Sequence, residues 1–185
     1  MRIIRLPGIH HDANAVIFAG NESSILVDAG TTWYQMLQVE RISGHLGERK
    51  LSRILLTSRR YPFSGAAKYI SENNGDIPIH IHEDAISVLQ TGDFYSTWAN
   101  RYDSDMTSTD CTQVTQGDQF NLGDGSITAI SLPGHCTDGM GYFEVEREVL
   151  CTGAVLPRAD TPSRSDMPGG SLPELISCLL YTSPS

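Results

Sequence analysis

The chain has 185 residues, of which 39% are hydrophobic and 19% charged, and its formal net charge is −9. This composition is typical of a single globular domain with a sizeable core and excludes a disordered or fibrous chain. The negative charge argues against a basic nucleic-acid groove, and no apolar run approaches the roughly 18 residues of a membrane-spanning helix. We therefore expect neither a nucleic-acid nor a membrane partner.

The N-terminus lacks the apolar stretch of a signal peptide, so a cytoplasmic location is expected. The four cysteines have no Cys-x-x-Cys spacing. This argues against a structural zinc knuckle and favours small buried thiols kept reduced in that compartment.

The N-terminal third contains alternating strand and helix patterns. Apolar residues recur every three or four positions from Trp33 to Leu46, which predicts a helix with one buried stripe. Thr32-x-x-Gln35 before it resembles a capping box. Strands are predicted at 2–6, 14–18, 24–30 and, as a nearly all-apolar run covered on both faces, 53–57.

The remainder of the chain continues this alternation up to residue 90 and then becomes less regular. Residues 93–112 are polar and aromatic without a clear period, so an irregular segment is predicted there. Ser171–Ser177 begins like a helix, with a Ser cap and Pro in its first turn. The other predicted elements are helices at 65–73 and 83–90 and strands at 77–82, 126–132 and 141–151.

Several short motifs follow one another in a fixed order, and together they resemble the metallo-β-lactamase superfamily over about residues 1–177. The resemblance implies an α+β fold in four layers, an αββα sandwich whose second half is incomplete. The motifs are the strand-loop-helix frame at 54–66, Asp28-Ala29-Gly30, Gly117-Asp118 with Leu122-Gly123, Leu132-Pro133-Gly134-His135, Leu150–Ala154 and Arg164–Ser171.

The resemblance also implies where a metal site would lie. On the frame at 54–66, the family's Thr-His-x-His-x-Asp-His motif falls on residues that cannot hold zinc as imidazoles and carboxylates do. Of the positions implied, only His135 keeps a ligand side chain. We therefore expect no zinc, no assignable catalytic residue and a vestigial site formed by Ser58, Arg60, Pro62, Phe63, His135 and Ala154.

Arg59 and Arg60 suggest what the vestigial site could bind. An arginine at a former ligand position keeps positive charge there and presents planar donors for a carboxylate or phosphate. With His135 they form a candidate site for a small anionic ligand, although both arginines could instead reach solvent or pair with nearby acids. The predicted function is a non-catalytic or non-zinc anion-binding or interaction module.

The alternative is a divergent hydrolase of the same superfamily. Metal ligands at new positions could come from His80 and His82, which lie two apart on one strand and so point to one face. The loop after the first strand offers three more: His10, His11 and Asp12. A metal-free mechanism could instead pair Ser58 with His135, but it would need direct contact and an orienting third group. The chain has no Gly-x-Ser-x-Gly elbow.

The last residues do not continue the pattern of the preceding helix. Cys178–Ser185 resembles translated sequencing-adapter read-through of a metagenomic gene fragment. We expect a metallo-β-lactamase-like domain at 1–177 and a non-native or disordered tail at 178–185. Sheet edges left open by an incomplete second half would favour self-association.

Overall fold

Two β-sheets pack face to face, and helices cover their outer faces. The computed structural model describes residues 1–157, 163–166 and 168–182. The larger sheet has six strands in the order β1-β2-β3-β4-β5-β6. Its strands are β1 Arg2–Leu6, β2 Ala15–Ala19, β3 Ser24–Val27, β4 Arg53–Leu55, β5 Ile79–Ile81 and β6 Thr112–Gln113.

The smaller sheet has four antiparallel strands in the order β10-β9-β8-β7. Five helices accompany the two sheets in the described residues. The strands are β7 Gln119–Asn121, β8 Ser126–Ser131, β9 Met140–Glu144 and β10 Val149–Cys151. The helices are α1 Gln35–Leu46, α2 Tyr61–Ser64, α3 Ala67–Asn73, α4 Glu83–Thr91 and α5 Leu172–Thr182.

The apolar residues separate into layers that match this arrangement. Consecutive residues of β3 point to opposite faces of the sheet, so Ile25 packs between the two sheets and Leu26 packs under the helices. On the far side of the smaller sheet, Leu175 of α5 packs against Leu132. These three clusters form the αββα sandwich that the sequence predicts.

The strand directions determine where a site can form. β3, β4, β5 and β6 run parallel, whereas β1 and β2 join β3 in antiparallel pairs. The chain leaves β3 and β4 at the same edge, where the backbone N–H of Asp28 donates to Leu55 O at 2.9 Å. The loop after β4 also meets the smaller sheet, since Met140 N donates to Thr57 O at 2.9 Å. Side chains at this edge are therefore held by both sheets.

Two local predictions are wrong. Residues 141–151 are not one strand but β9 and β10, joined by a turn in which buried Glu144 accepts hydrogen bonds from the N–H groups of Glu146 and Arg147. The capping box before α1 is also absent. A 3₁₀ turn at Thr32–Tyr34 comes first, and the Thr32 hydroxyl bonds to the Tyr61 hydroxyl.

The C-terminal helix extends beyond Ser177, where the sequence predicts that regular structure ends. α5 continues to Thr182, and Cys178 is only 9% exposed within the cluster that contains Leu132, Val155 and Leu175. Leu175 and Cys178 are three residues apart and thus share one helix face. Residues 178–182 are thus helical, and residues 183–185 lie outside the described residues; the non-native origin of the tail stays a prediction.

Candidate functional site

Asp28 and Thr57 connect the ends of β3 and β4. The Asp28 carboxylate accepts hydrogen bonds from the backbone N–H and the hydroxyl of Thr57, each at 2.9 Å. Asp28 is 3% exposed, and burial raises the pKa of its carboxyl group to about 7. The donor to Asp28 is therefore the residue that follows the neighbouring strand and not a residue of its own turn.

The backbone at Gly153 packs tightly against the Thr57 side chain, which brings the smaller sheet to the ends of β3 and β4. Gly153 has φ +54, and a Cβ atom there would lie 2.2 Å from Thr57 Oγ1. Only glycine therefore allows the turn after β10 to pack on Thr57. This turn places Ala154 on the wall of a cavity of about 470 Å³ that Asp12, Asp28 and Phe63 also line.

The first predicted ligand position holds a buried serine. Ser58 Oγ accepts a hydrogen bond from Arg60 N at 3.2 Å and lies 3.7 Å from Cys136 Sγ. Burial raises the pKa of the Cys136 thiol to about 12, so the thiol is protonated at neutral pH. Ser58 is thus surrounded by neutral and donating groups, which do not activate a nucleophile.

His135 is half-buried and makes no hydrogen bond to Ser58 within the described residues. Its Nδ1 is 2.9 Å from the carbonyl oxygen of Arg164. Burial lowers the pKa of His135, and the positive charge of Arg60 lowers it further. The Ser58–His135 pair required by a metal-free hydrolase is not made.

Arg59 is neutralised by a buried acid that sequence reasoning missed. Its backbone N–H donates to Asp138 Oδ2 at 2.7 Å, and its Nε lies 3.6 Å from Asp138 Oδ1. Asp138 is completely buried. Arg59 therefore follows the alternative in which an arginine pairs with a nearby acid, and the pair joins the loop after β4 to the loop before β9.

Arg60 is a buried cation with a different environment. It is 4% exposed, its Nη1 donates to Ser96 O at 2.9 Å, and its guanidinium carbon lies 4.3 Å from the centre of the Trp98 ring. Arg101 approaches the same ring at 4.4 Å. Within the described residues, Nε and Nη2 of Arg60 have no hydrogen-bond partner and no carboxylate lies within ion-pair distance.

Both contacts on the Arg60 side chain come from residues 93–98, which we call the cover segment. Asp93 accepts hydrogen bonds from the Tyr95 and Ser96 N–H groups, which begins the segment with a tight turn. Thr97 is fully buried and its carbonyl accepts from Tyr61 N at 2.8 Å. The segment therefore lies against the start of α2, directly over Arg60.

Pro62 and Phe63 have structural contacts at their backbones. Ala13 N donates to Pro62 O at 2.9 Å, and Ala29 N donates to Phe63 O at 2.7 Å. These bonds fix the loops after β1 and β3 against α2. Phe63 also lines the 470 Å³ cavity.

The candidate relocated ligands do not come together. His80 packs on Phe120, and His82 accepts the Asp84 N–H at the start of α4. In the loop after β1, His11 packs on Trp33 and Tyr102. Its neighbour His10 stacks on Tyr34, and Asp12 accepts a hydrogen bond from the Thr31 N–H. Among the residues that the structure describes, no group of three His, Cys, Asp or Glu side chains could hold a metal ion.

Sequence reasoning missed Trp98, Ser96, Cys136 and Asp138. Cys136 and Asp138 lie one and three residues after His135, so their proximity to that residue was a usable signal. Trp98 and Ser96 lie in the irregular stretch at 93–112, where no periodicity indicates which side chains face the site. The Arg164–Ser171 loop contributes the Arg164 carbonyl, whereas Met167 lies outside the described residues.

The sequence matches no established protein-family profile. It is 23% identical over 165 residues to the human (Homo sapiens) protein named acyl-coenzyme A thioesterase MBLAC2, covering 78% of this chain and 58% of that protein. The chain thus spans less than two thirds of this curated relative.

In the described residues, no helix is long and apolar enough to cross a membrane.

Solved structures give stronger similarity at the level of the fold. The B3 metallo-β-lactamase BLEG-1 matches with a TM-score of 0.81 at 18% identity, over 98% of this chain and 85% of that chain. TTHA1623 in a di-iron-bound form gives 0.76 at 20% identity, covering 98% and 85%. ETHE1 from Myxococcus xanthus gives 0.74 at 15% identity, covering 98% and 69%. The chain therefore has the metallo-β-lactamase fold.

Proposed function

We propose that this chain is a metallo-β-lactamase-fold protein without zinc chemistry, whose altered site binds a small anion. The observation that carries the proposal is Arg60, a buried guanidinium with two unpartnered N–H groups at a position where the family's motif has a ligand. The proposed function is that of a non-catalytic binding module.

The donor set does not fit zinc. His135 is the one ligand-type side chain at the motif positions implied by the resemblance, and its Nδ1 already contacts Arg164 O. A guanidinium about 5 Å from a divalent ion would repel it by about 7 kcal/mol at an effective dielectric constant of about 20. We therefore derive no chemical step through a metal.

The balance of charge supports an anion instead. Asp138 is paired with Arg59, whereas Arg60 and Arg101 both face the Trp98 ring without a carboxylate partner in the described residues. A charged hydrogen bond shielded from water contributes about 1.5–3 kcal/mol. A small anion reaching Arg60 would therefore gain a useful part of its binding free energy from one side chain.

Metal content is the first test. Purified protein should contain far less than one equivalent of zinc or iron, and EDTA should leave its melting temperature unchanged, because a ligand that does not bind cannot stabilise the folded state. Stoichiometric metal whose removal lowers the melting temperature would overturn the proposal.

Anion binding is the second test. Sulfate and acetate titrations by calorimetry should show binding of at least one anion to the wild type and about tenfold weaker binding to Arg60→Lys, which keeps the charge but loses the planar donors. Arg2→Ala, at an exposed position on β1, is the matched control and should bind like the wild type. Binding of neither anion to the wild type would contradict an anion module.

The human relative's name provides one specific reason to keep hydrolysis as the alternative. Acyl-coenzyme A hydrolysis should be assayed with and without added zinc, beside a Ser58→Ala variant. Turnover above the uncatalysed rate that disappears with Ser58→Ala or with chelator would favour the divergent hydrolase. Absence of turnover under all of these conditions would leave the binding module as the better description.

A further inference from the structure

The two unpartnered donors of Arg60 lie on one edge of its guanidinium group. Nε–H and Nη2–H point in parallel from that edge and match the two oxygens of a carboxylate. Arg164 uses the same two atoms to hold Asp166, with Nε to Oδ1 at 2.9 Å and Nη2 to Oδ2 at 2.8 Å. The chain thus contains both a filled and an unfilled example of this arrangement.

An unfilled buried edge needs an acceptor. Buried donors are almost always hydrogen-bonded in folded proteins, because a donor removed from water without a partner raises the free energy of the folded state. Asp138 is not that acceptor: its Oδ2 accepts from the Arg59 N–H, and its Oδ1, which has no hydrogen-bond partner, lies 3.6 Å from Arg59 Nε. Within the described residues, neither of the two Arg60 donors has an acceptor.

The charge near Arg60 favours a single negative charge on that partner. Arg101 is exposed to solvent, and the lowered pKa of His135 leaves its imidazole neutral at pH 7. The charges of Asp138 and Arg59 offset each other, so one sheltered net positive charge remains, at Arg60. A carboxylate supplies one negative charge and two coplanar oxygens, whereas a sulfate or phosphate dianion would leave excess negative charge in a poorly solvated place.

The cover segment lies against the guanidinium of Arg60. The Arg60 Nε and Nη2 atoms are buried, and the guanidinium contacts the backbone carbonyl of Ser96 and the ring of Trp98. Trp98 has φ +65, a left-handed backbone conformation that is strained for a bulky residue. Strain at the residue that covers Arg60 lowers the free energy needed to move it away.

We infer that the Nε and Nη2 edge of Arg60 binds a carboxylate group in a bidentate manner and that the cover segment moves off Arg60 to admit it. This inference rests on the proposed function and specifies its ligand class and its entry step. The ligand's remaining atoms would occupy the space released by Trp98.

Tryptophan fluorescence tests the inference directly. The chain has two tryptophans, so Trp33→Phe leaves Trp98 as the reporter, and Trp33 is already 46% exposed. Acetate, sulfate and chloride are titrated at constant ionic strength while acrylamide quenching of Trp98 is followed. Acetate should increase the quenching constant about twofold with the same midpoint as calorimetric binding, and sulfate should bind about tenfold more weakly.

Two substitutions separate the parts of the inference. Arg60→Lys should weaken acetate binding about tenfold and shift the Trp98 response to the same higher acetate concentrations, with circular dichroism confirming that the variant is folded. Trp98→Leu removes the ring from Arg60 and should increase acetate affinity about threefold, because less contact is lost on opening. This second variant keeps the test decisive where Arg60→Lys does not fold.

Each contrary result identifies the part that fails. Acetate binding without a change in Trp98 quenching, or unchanged affinity in Trp98→Leu, would overturn the moving cover segment. Sulfate binding as tight as acetate binding would overturn the carboxylate preference while leaving the anion module intact. Binding of neither anion would remove the proposed function itself, and this inference with it.

Discussion

Single residues at the strand ends carry much of the unusual chemistry of this molecule. Asp28 is a buried carboxylate whose hydrogen-bond partners are the N–H and hydroxyl of Thr57. No basic side chain of the described residues lies within ion-pair distance of it. A carboxylate without a cation is costly to ionise in such a place.

The free energy of unfolding should therefore depend on the protonation of Asp28. Burial raises its pKa to about 7 in the folded protein, against about 3.9 for an unfolded aspartate. The folded state binds more protons between these values, so stability should fall as pH rises from about 4 to 7, by up to about 4 kcal/mol, and stay constant above that window.

Urea unfolding of Asp28→Asn at several pH values tests this expectation. The amide is neutral throughout and can still accept from Thr57, so the variant should lose most of the dependence on pH. Asp105→Asn, at an exposed position, serves as the matched control and should keep the wild-type slope. Parallel curves for wild type and Asp28→Asn would show that Asp28 is not the titrating group.

His135 should affect anion binding only under acidic conditions. Burial, and then the charge of Arg60, hold its pKa below the ordinary value of 6.5. It gains a positive charge as pH falls through this lowered pKa, so binding of sulfate, which keeps its charge in that range, should strengthen there and be flat above about pH 7. Calorimetry on wild type and His135→Gln checks this, and a strengthening of equal size in both proteins would contradict it.

At the scale of elements, α5 differs most from what the sequence predicts. Its turn beyond Ser177 places Cys178 in a buried cluster with Leu175 and Val155. The reason is helix geometry, because Cys178 lies one turn after Leu175 and inherits the same buried face. Packing on the smaller sheet extends α5 by one turn, and the apolar spacing of a single turn is too short to be recognised in the sequence.

Deleting residues 178–185 should consequently destabilise the protein by about 1–2 kcal/mol, the scale of a buried apolar side chain. Chemical unfolding measures the effect. Leu180→Ser is the matched control, since Leu180 is largely exposed and its replacement should change stability by no more than about 0.5 kcal/mol. A deletion that costs no more than the control would restore the prediction of an unpacked tail.

At the scale of the whole molecule, the smaller sheet has an open side. In the described residues β10 pairs only with β9, and its backbone groups on the other side are available to another strand. Val149 and Cys151 point toward the inter-sheet cluster, which places Leu150 on the outward face of the same strand. Such an edge is a template for pairing between copies of the chain.

Self-association should therefore increase with protein concentration in sedimentation velocity experiments. Leu150→Lys introduces a charge at the edge without altering the inward side chains, so it should shift the protein toward the monomer. Val145→Lys, at an exposed position in the turn between β9 and β10, is the control. A wild type that stays monomeric at every concentration would contradict this expectation.

The sequence by itself determined the fold class, through the resemblance that its ordered motifs carry, and most helix and strand positions, through apolar periodicity. Both signals lie in residues that are close together in the chain. The residue types at Ser58, Arg60, Pro62 and Phe63 are also plain in the sequence, and their interpretation as a vestigial metal site stays a prediction. Only the tertiary structure decided what Arg59 and Arg60 contact. Trp98, which packs on Arg60, lies in a segment without periodicity, and Asp138, the partner of Arg59, comes from the loop before β9 of the smaller sheet. Such contacts arise from the meeting of loops distant in sequence, which local patterns do not encode.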